Sequence, residues 1–271
     1  MNNYHILLTD NRNLLGWNDF RNSSFYVWDE IHPQYDHSTG DHRATSWLID
    51  NNQSIDQAKL VAAELLSIII GIFKAKRIEH LSAAFMQNGV KLLVNGLSTY
   101  TYAFSDIEIP NFTLARSWES RKHLKPQNYS EISNLKNNIF DALIYLAAHE
   151  DDVYIILRLV ASQTSWLSLC MIYETIEEFG EKNDYPHMLT TNRKKKLDTK
   201  QNETKLTKPA NCFSITGFSS RHGYRHESKP VTTDDCFNLE QATDYVYTHV
   251  RKYINWKLDI FHSSSIFTPN S

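Results

Sequence analysis

Over residues 1 to about 125, short apolar and aromatic runs alternate with polar breaks: Tyr4 to Leu8, Phe25 to Trp28, Ser46 to Ile49, Val90 to Val94 and Thr99 to Phe104. Runs this short, bounded by turn-forming residues, predict strands. Asn88-Gly89 and Asn95-Gly96 are turn dipeptides, because both residue types tolerate positive φ, and the first predicts a hairpin between 81–86 and 90–94. One stretch has the other period. Ser54 with Gln57 is a capping-box signature, and Ala58, Ala62, Leu65, Ile69, Ile72 and Phe73 follow helical spacing, so a helix is expected from Ile55 to about Lys76.

Pro126, after a charged stretch, marks a boundary, and from there the periodicity is helical. A helix beginning near Ser130 and Asn134 carries the stripe Ile132, Leu135, Ile139, Leu143 and Leu146. It ends near His149-Glu150-Asp151-Asp152, an acidic run that suits the N-terminus of the next helix, where the helix dipole favours negative charge. Val153 to Ala161 is apolar apart from Arg158 and reads as a central helix. Trp166, Leu169, Tyr173 and Ile176 form another stripe, with Gly180 expected just past its end. Asn238 with Gln241 opens a final helix whose stripe is Leu239, Ala242, Val246, Val250, Tyr253 and Ile254. The pattern therefore predicts an α+β chain: a mixed α/β module over 1–125, then an all-α helical bundle over 126–271.

Composition narrows the classes without choosing among them. With 41% apolar and 22% charged residues, the chain has enough apolar surface for a real core. A formal charge of −3 argues against coating nucleic acid through bulk charge, so such a contact needs a local basic patch. Three cysteines, Cys170, Cys212 and Cys236, are odd in number and include no CxxC pair, which fits a reducing compartment better than a disulfide framework. The first residues lack the basic stretch and apolar core of a secretion signal, and the run Leu65 to Phe73 is too short to span a bilayer. A cytoplasmic protein with no membrane association is expected.

The densest candidate chemistry is Ser220-Arg221-His222-Gly223-Tyr224-Arg225-His226, two guanidiniums and two imidazoles in six consecutive positions. Arginine grips a phosphate with two prongs, and histidine exchanges a proton near neutrality. Just upstream, Arg193, Lys194, Lys195, Lys196, Lys200, Lys205 and Lys208 face only Asp198 and Glu203, a net +5 that reads as a flexible basic loop able to track an RNA backbone. Asn211 and Glu174 are candidates for holding the Arg or His side chains in place. A second cluster, His32, His37 and His42 interleaved with Asp36 and Asp41, consists of metal-ligand residue types, in a spacing that a polar surface loop explains equally well.

An Arg, a polar residue, three more residues and a His, late in a helical domain, resembles the HEPN superfamily of helical ribonucleases and toxin-like defence proteins. Here the pattern reads Arg221, His222, Gly223-Tyr224-Arg225, His226, and the resemblance spans roughly 126 to 262. It implies a HEPN-like bundle and a homodimer whose two copies line one groove. It also implies metal-independent RNA cleavage, with no cofactor, in bacterial antiphage defence. In that chemistry His226 and Arg221 are the central catalytic pair, His222 assists, and Arg225 with Arg193, Lys194, Lys195 and Lys196 contacts RNA. By family analogy, residues 1–125 sense a trigger or bind a regulatory protein partner. Three other readings stay open: a non-catalytic HEPN-like dimeric partner, a metal-binding module on the His32, His37, His42 loop, and a helical interaction protein with no enzymatic activity. Paired toxins of the superfamily often carry Tyr two places after the motif His, where this chain has Ser228.

Overall fold

The computed structural model describes residues 3–8, 25–31, 38–50, 54–77, 90–95, 103–106, 138–162, 164–191, 194–217, 220 and 236–263. These are mostly helical, with a small antiparallel sheet, as an α+β reading expects. The chain forms two compact units, Met1–Ala161 with His262–Ser271, and Ser162–Phe261.

The first unit contains a five-stranded antiparallel sheet in the order β2-β3-β1-β4-β5, formed by β1 (Asn3–Leu8), β2 (Tyr26–Ile31), β3 (Ser38–Thr45), β4 (Val90–Asn95) and β5 (Ala103–Asp106). Tyr4 and Ile6 alternate with His5, so the two hydrophobes share a face and are buried, as are Phe25, Val27 and Ala44. In register, Ile6 faces Ala44 on one side and Leu92 on the other. The pairing partners of β4 are thus β1 and β5; the 81–86 arm of the expected hairpin lies outside the described residues.

Two short segments depart from the sequence expectation. Ser46 to Ile49 is not a strand: Ser46 accepts from the Leu48 amide through Oγ (3.2 Å) and from Ile49 and Asp50 through its carbonyl, capping the helical turn α1 (Trp47–Asp50). The Asp50 carboxylate then accepts the Tyr4 amide at 2.7 Å, and burial of that carboxyl pushes its pKa up. Conversely Ser38–Thr45, a polar sequence with no apolar alternation, is a strand because β1 and β2 supply ladder partners on both sides. His42 therefore sits opposite Leu8 and Asp29 in a sheet rather than in a loop; His32 and His37 are outside the described residues.

Helix α2 (Ile55–Ala75) starts where its capping box predicts, Ser54 Oγ accepting from the Gln57 amide at 3.2 Å. It is buried all round from Val61 to Phe73, so it is a central helix and not a one-sided one. Against it lie α3 (Ile139–His149) and α4 (Asp151–Ala161). Gly71 meets the Leu157 main chain so closely that any Cβ there would collide with the Leu157 carbonyl. Glu64 and Arg158 form an ion pair at 3.3 Å with side chains almost completely buried, and Lys74 Nζ donates to the last carbonyl of α4, Ala161, at 3.0 Å. Asp151 and Asp152 stand in the first turn of α4, where the dipole favours negative charge, and the Asp152 carboxylate accepts the Val153 amide. Because α3 and α4 have their partner in α2, the units divide at Ala161/Ser162 rather than near 125/126.

The second unit holds α5 (Trp166–Lys182), a hairpin of β6 (Leu189–Thr191) and β7 (Lys194–Lys196), α6 (Lys200–Asn211), the single turn α7 (Phe213–Thr216) and α8 (Leu239–Ser263), whose last two residues fall outside it. Leu169, Tyr173 and Ile176 are buried as the stripe predicts. Gly180 does not end α5. The helix runs to Lys182 and closes through Asp184 at φ +53°, the Tyr185 amide bonding back to the Gly180 carbonyl at 2.9 Å, while Gly180 itself makes room for the Met188 sulfur. Ile139 and Leu239, each first in its helix, are 41% exposed instead of buried.

Candidate functional site

Arg221, His222, Arg225 and His226, with Arg193, lie outside the described residues. Ser220 precedes them; its amide donates to the Gly217 carbonyl at 3.0 Å and its hydroxyl to the Ala210 carbonyl at 3.3 Å. Gly217 adopts φ +58° with open space around its α-carbon, so conformation, not crowding, asks for glycine there. Asn211 is exposed at the end of α6 and Glu174 is exposed on α5.

The basic stretch is not the flexible loop expected. Lys194, Lys195 and Lys196 form β7, and Thr199 caps α6 by accepting the Asn202 amide. Lys195, itself half-buried, pairs with the exposed Asp184, whereas Lys196 reaches Glu177 at 2.8 Å and Glu203 at 3.4 Å. The Glu177 hydrogen bond chiefly raises the Lys196 pKa, so its charge is fixed and committed to those carboxylates.

Helix α6 contains Pro209, which has no amide proton to give the Lys205 carbonyl four residues back. The Phe237 amide fills that acceptor at 3.1 Å, fixing the start of α8 against α6. Asn238 and Gln241 form the predicted capping box: the Gln241 amide donates to Asn238 Oδ1 at 2.8 Å and the Asn238 amide to Gln241 Oε1 at 3.0 Å. A cleft of about 440 Å³ opens here, lined by Trp166, Ile215, Thr216, Cys236, Phe237, Asn238 and Gln241.

Behind it lies a polar aromatic network. Tyr245 stacks on Tyr173 with ring centres 5.8 Å apart and against Phe237 at 5.2 Å; its hydroxyl donates to Asp198 Oδ2 at 3.1 Å. His249 Nε2 lies 3.8 Å from the same oxygen, which also accepts from the Asn202 amide group at 3.1 Å. Burial works to raise the Asp198 carboxyl, but the Thr199 amide, Asn202, Tyr245 and His249 together hold it below its ordinary value. Burial depresses His249, against the pull of Asp198, and pushes the Tyr173 and Tyr245 hydroxyls up. These groups are neutral phenols and imidazole around one saturated carboxylate, an arrangement that fixes the entrance of α6 more readily than it moves protons.

Among the described residues no group of three or more His, Cys, Asp or Glu is set to hold a metal, and no helix is long and apolar enough to cross a membrane. No protein-family model, curated protein or solved structure matches the chain. Neither the cleft nor the network is visible in the sequence as a motif. Tyr245 and His249, one turn apart on the buried face of α8, are the sole local signal, and Asp198 joins them only through the fold.

Proposed function

We propose that the chain is a metal-independent endoribonuclease of HEPN type, acting as a homodimer in the cytoplasm within a defence system. One observation carries this reading: Arg221, His222, Arg225 and His226 fall in six consecutive positions of a chain whose surrounding unit is helical. Aliphatic packing gives no reason for that concentration of cations and imidazoles, and phosphate chemistry does. His226 takes the proton of a ribose 2′-hydroxyl, the freed oxygen attacks the adjacent phosphorus, and Arg221 offsets the charge gathering on the phosphoryl oxygens. His222 returns a proton to the departing 5′-oxygen, and the products are a 2′,3′-cyclic phosphate and a 5′-hydroxyl. DNA has no 2′-hydroxyl, so the reaction is RNA-selective. Arg225 adds phosphate grip. Lys194 and Lys195 with Arg193 extend the contact along the backbone, and Lys196 contributes less because two carboxylates already hold it.

The test is RNA cleavage, with and without EDTA, by the wild-type protein and by folded His226→Ala and Arg221→Ala variants. The expected result is an EDTA-resistant activity, lost in both variants, with cyclic-phosphate ends on the wild-type products. Cleavage indifferent to both substitutions, or a wild type that leaves RNA intact, overturns it.

A further inference from the structure

We propose that the cleft at the start of α8 is a nucleobase-binding site. The inference rests on the ribonuclease reading for the identity of the strand, and on the described residues for the chemistry of the cleft.

At about 440 Å³ the cleft lies within the roughly 300–1,000 Å³ range of small-ligand sites. None of the seven described residues that line it is charged, a lining that suits a neutral group. Trp166 and Phe237 provide aromatic surface, and Ile215 and Cys236 complete an apolar wall. The hydrogen-bonding groups at the rim are oriented by the fold. In the capping box, Asn238 and Gln241 use their carbonyl oxygens to accept main-chain amides, which turns each NH₂ outward as a donor. The Thr216 hydroxyl donates to the Pro209 and Cys212 carbonyls at 3.1 and 3.2 Å, leaving its lone pairs as acceptors. Amide donors at the start of α8 and a hydroxyl acceptor on α7 line the same cleft as two aromatic rings, a set that matches the edge of a base, where carbonyl and ring-nitrogen acceptors sit beside N–H donors. An acyl chain would satisfy the apolar wall and leave every one of those rim groups without a partner. The cleft is also continuous with the proposed chemistry along the chain: Ser220 and Cys236 are the residues flanking 221–235, and Cys236 lines the cleft.

The experiment titrates full-length His226→Ala protein with adenosine and uridine 5′-monophosphates, reading tryptophan fluorescence, with ribose 5-phosphate as the control. Binding of at least one nucleotide is expected, with none of ribose 5-phosphate over the same concentrations, and Trp166→Phe should remove most of the fluorescence change. Gln241→Glu is the decisive variant. A glutamate still accepts the Asn238 amide, and its charge suits a helix N-terminus, so the Tm should hold. Its carboxylate replaces the donor, and affinity should fall by about tenfold or more. Phe237→Leu, which removes the aromatic surface and keeps the volume apolar, should weaken binding by roughly tenfold. Equal binding of ribose 5-phosphate, no binding of either nucleotide, or unchanged affinity in both variants overturns the proposal. Nucleotide binding with the expected profile, in a chain whose wild type leaves RNA intact, retains the cleft and removes the ribonuclease; His226-dependent cleavage by a chain that fails the titration does the reverse.

Discussion

From Val61 to Phe73 helix α2 is buried on every side and meets its neighbours mainly through apolar side chains and one glycine, whereas α8 buries a single stripe and is held by tyrosines, a histidine and a carboxylate. The first arrangement depends on shape. An apolar surface has few directional bonds, so α4 is placed chiefly by how closely Leu157 can approach Gly71, to which the Glu64–Arg158 pair and the Lys74–Ala161 hydrogen bond are added. The second depends on pairing: Tyr245, Asn202, the Thr199 amide and His249 converge on Asp198, and the Asn183 amide group reaches the Tyr253 hydroxyl at 3.1 Å. Substitutions in the two regions should therefore fail in different ways, the first through volume and buried charge, the second through lost donors and pH.

The largest effect belongs to the buried ion pair within the aliphatic region. Arg158→Ala removes the guanidinium paired with the buried Glu64 side chain and should cost about 3–5 kcal/mol in urea unfolding. Replacing both, as Glu64→Leu with Arg158→Met, should recover most of that loss, because the pair as a whole is close to neutral against apolar residues of similar volume. A double variant no more stable than the single one would mean that the pair does more than neutralise itself. Gly71→Ala comes next, at about 1–3 kcal/mol, since its methyl group meets main chain that cannot rotate away. Hydrogen exchange should report both losses in α2 and α4.

In the paired region the changes are smaller and depend on pH. Tyr245→Phe keeps the ring contacts with Tyr173 and Phe237 and removes one donor to Asp198, which should cost about 1 kcal/mol. His249 titrates below 6.5 when folded, so between that lowered value and 6.5 the unfolded chain binds a proton that the folded chain refuses. Stability should thus be complete above pH 6.5 and decline through the window beneath it. Asp198, held low, adds its own loss only at more acid pH, below its ordinary 3.8. His249→Gln should flatten the upper part of the curve, and an unaltered slope would assign it to other groups.

What could be read from the sequence follows the range of the interactions. Ser54 with Gln57 and Asn238 with Gln241 are complete within four residues; the second closes as a box from both sides, and the first forms through the Gln57 amide to Ser54 Oγ. β3 and α6 were illegible because their stability is supplied from far along the chain: ladders to β1 and β2 for the first, the Phe237 amide and Glu177 for the second. Pro126 signals a local break but carries no information about α2, which claims α3 and α4 for the first unit. The Arg221–His226 stretch could be picked out by composition alone; the cleft could not, since Trp166, Thr216 and Gln241 meet only once the helices have packed.

The smallest structural effect gives the cleanest functional measurement. Replacing Lys194, Lys195 and Lys196 together with alanine would mix two things, because Lys196 also neutralises Glu177 and Glu203 beside the Tyr173 ring, and its loss would set those carboxylates against each other. Lys195 has no such burden. Its partner Asp184 is almost fully exposed, and ion pairs of that kind contribute little to folding. Lys195→Ala should leave the unfolding midpoint unchanged while removing one cation from the face of β7. If that face meets an RNA backbone, the variant should weaken RNA binding by the His226→Ala protein and lower the slope of log K against log salt by up to about one. An identical slope would withdraw Lys195 from the interface without disturbing either the chemistry assigned to 221–226 or the cleft at α8.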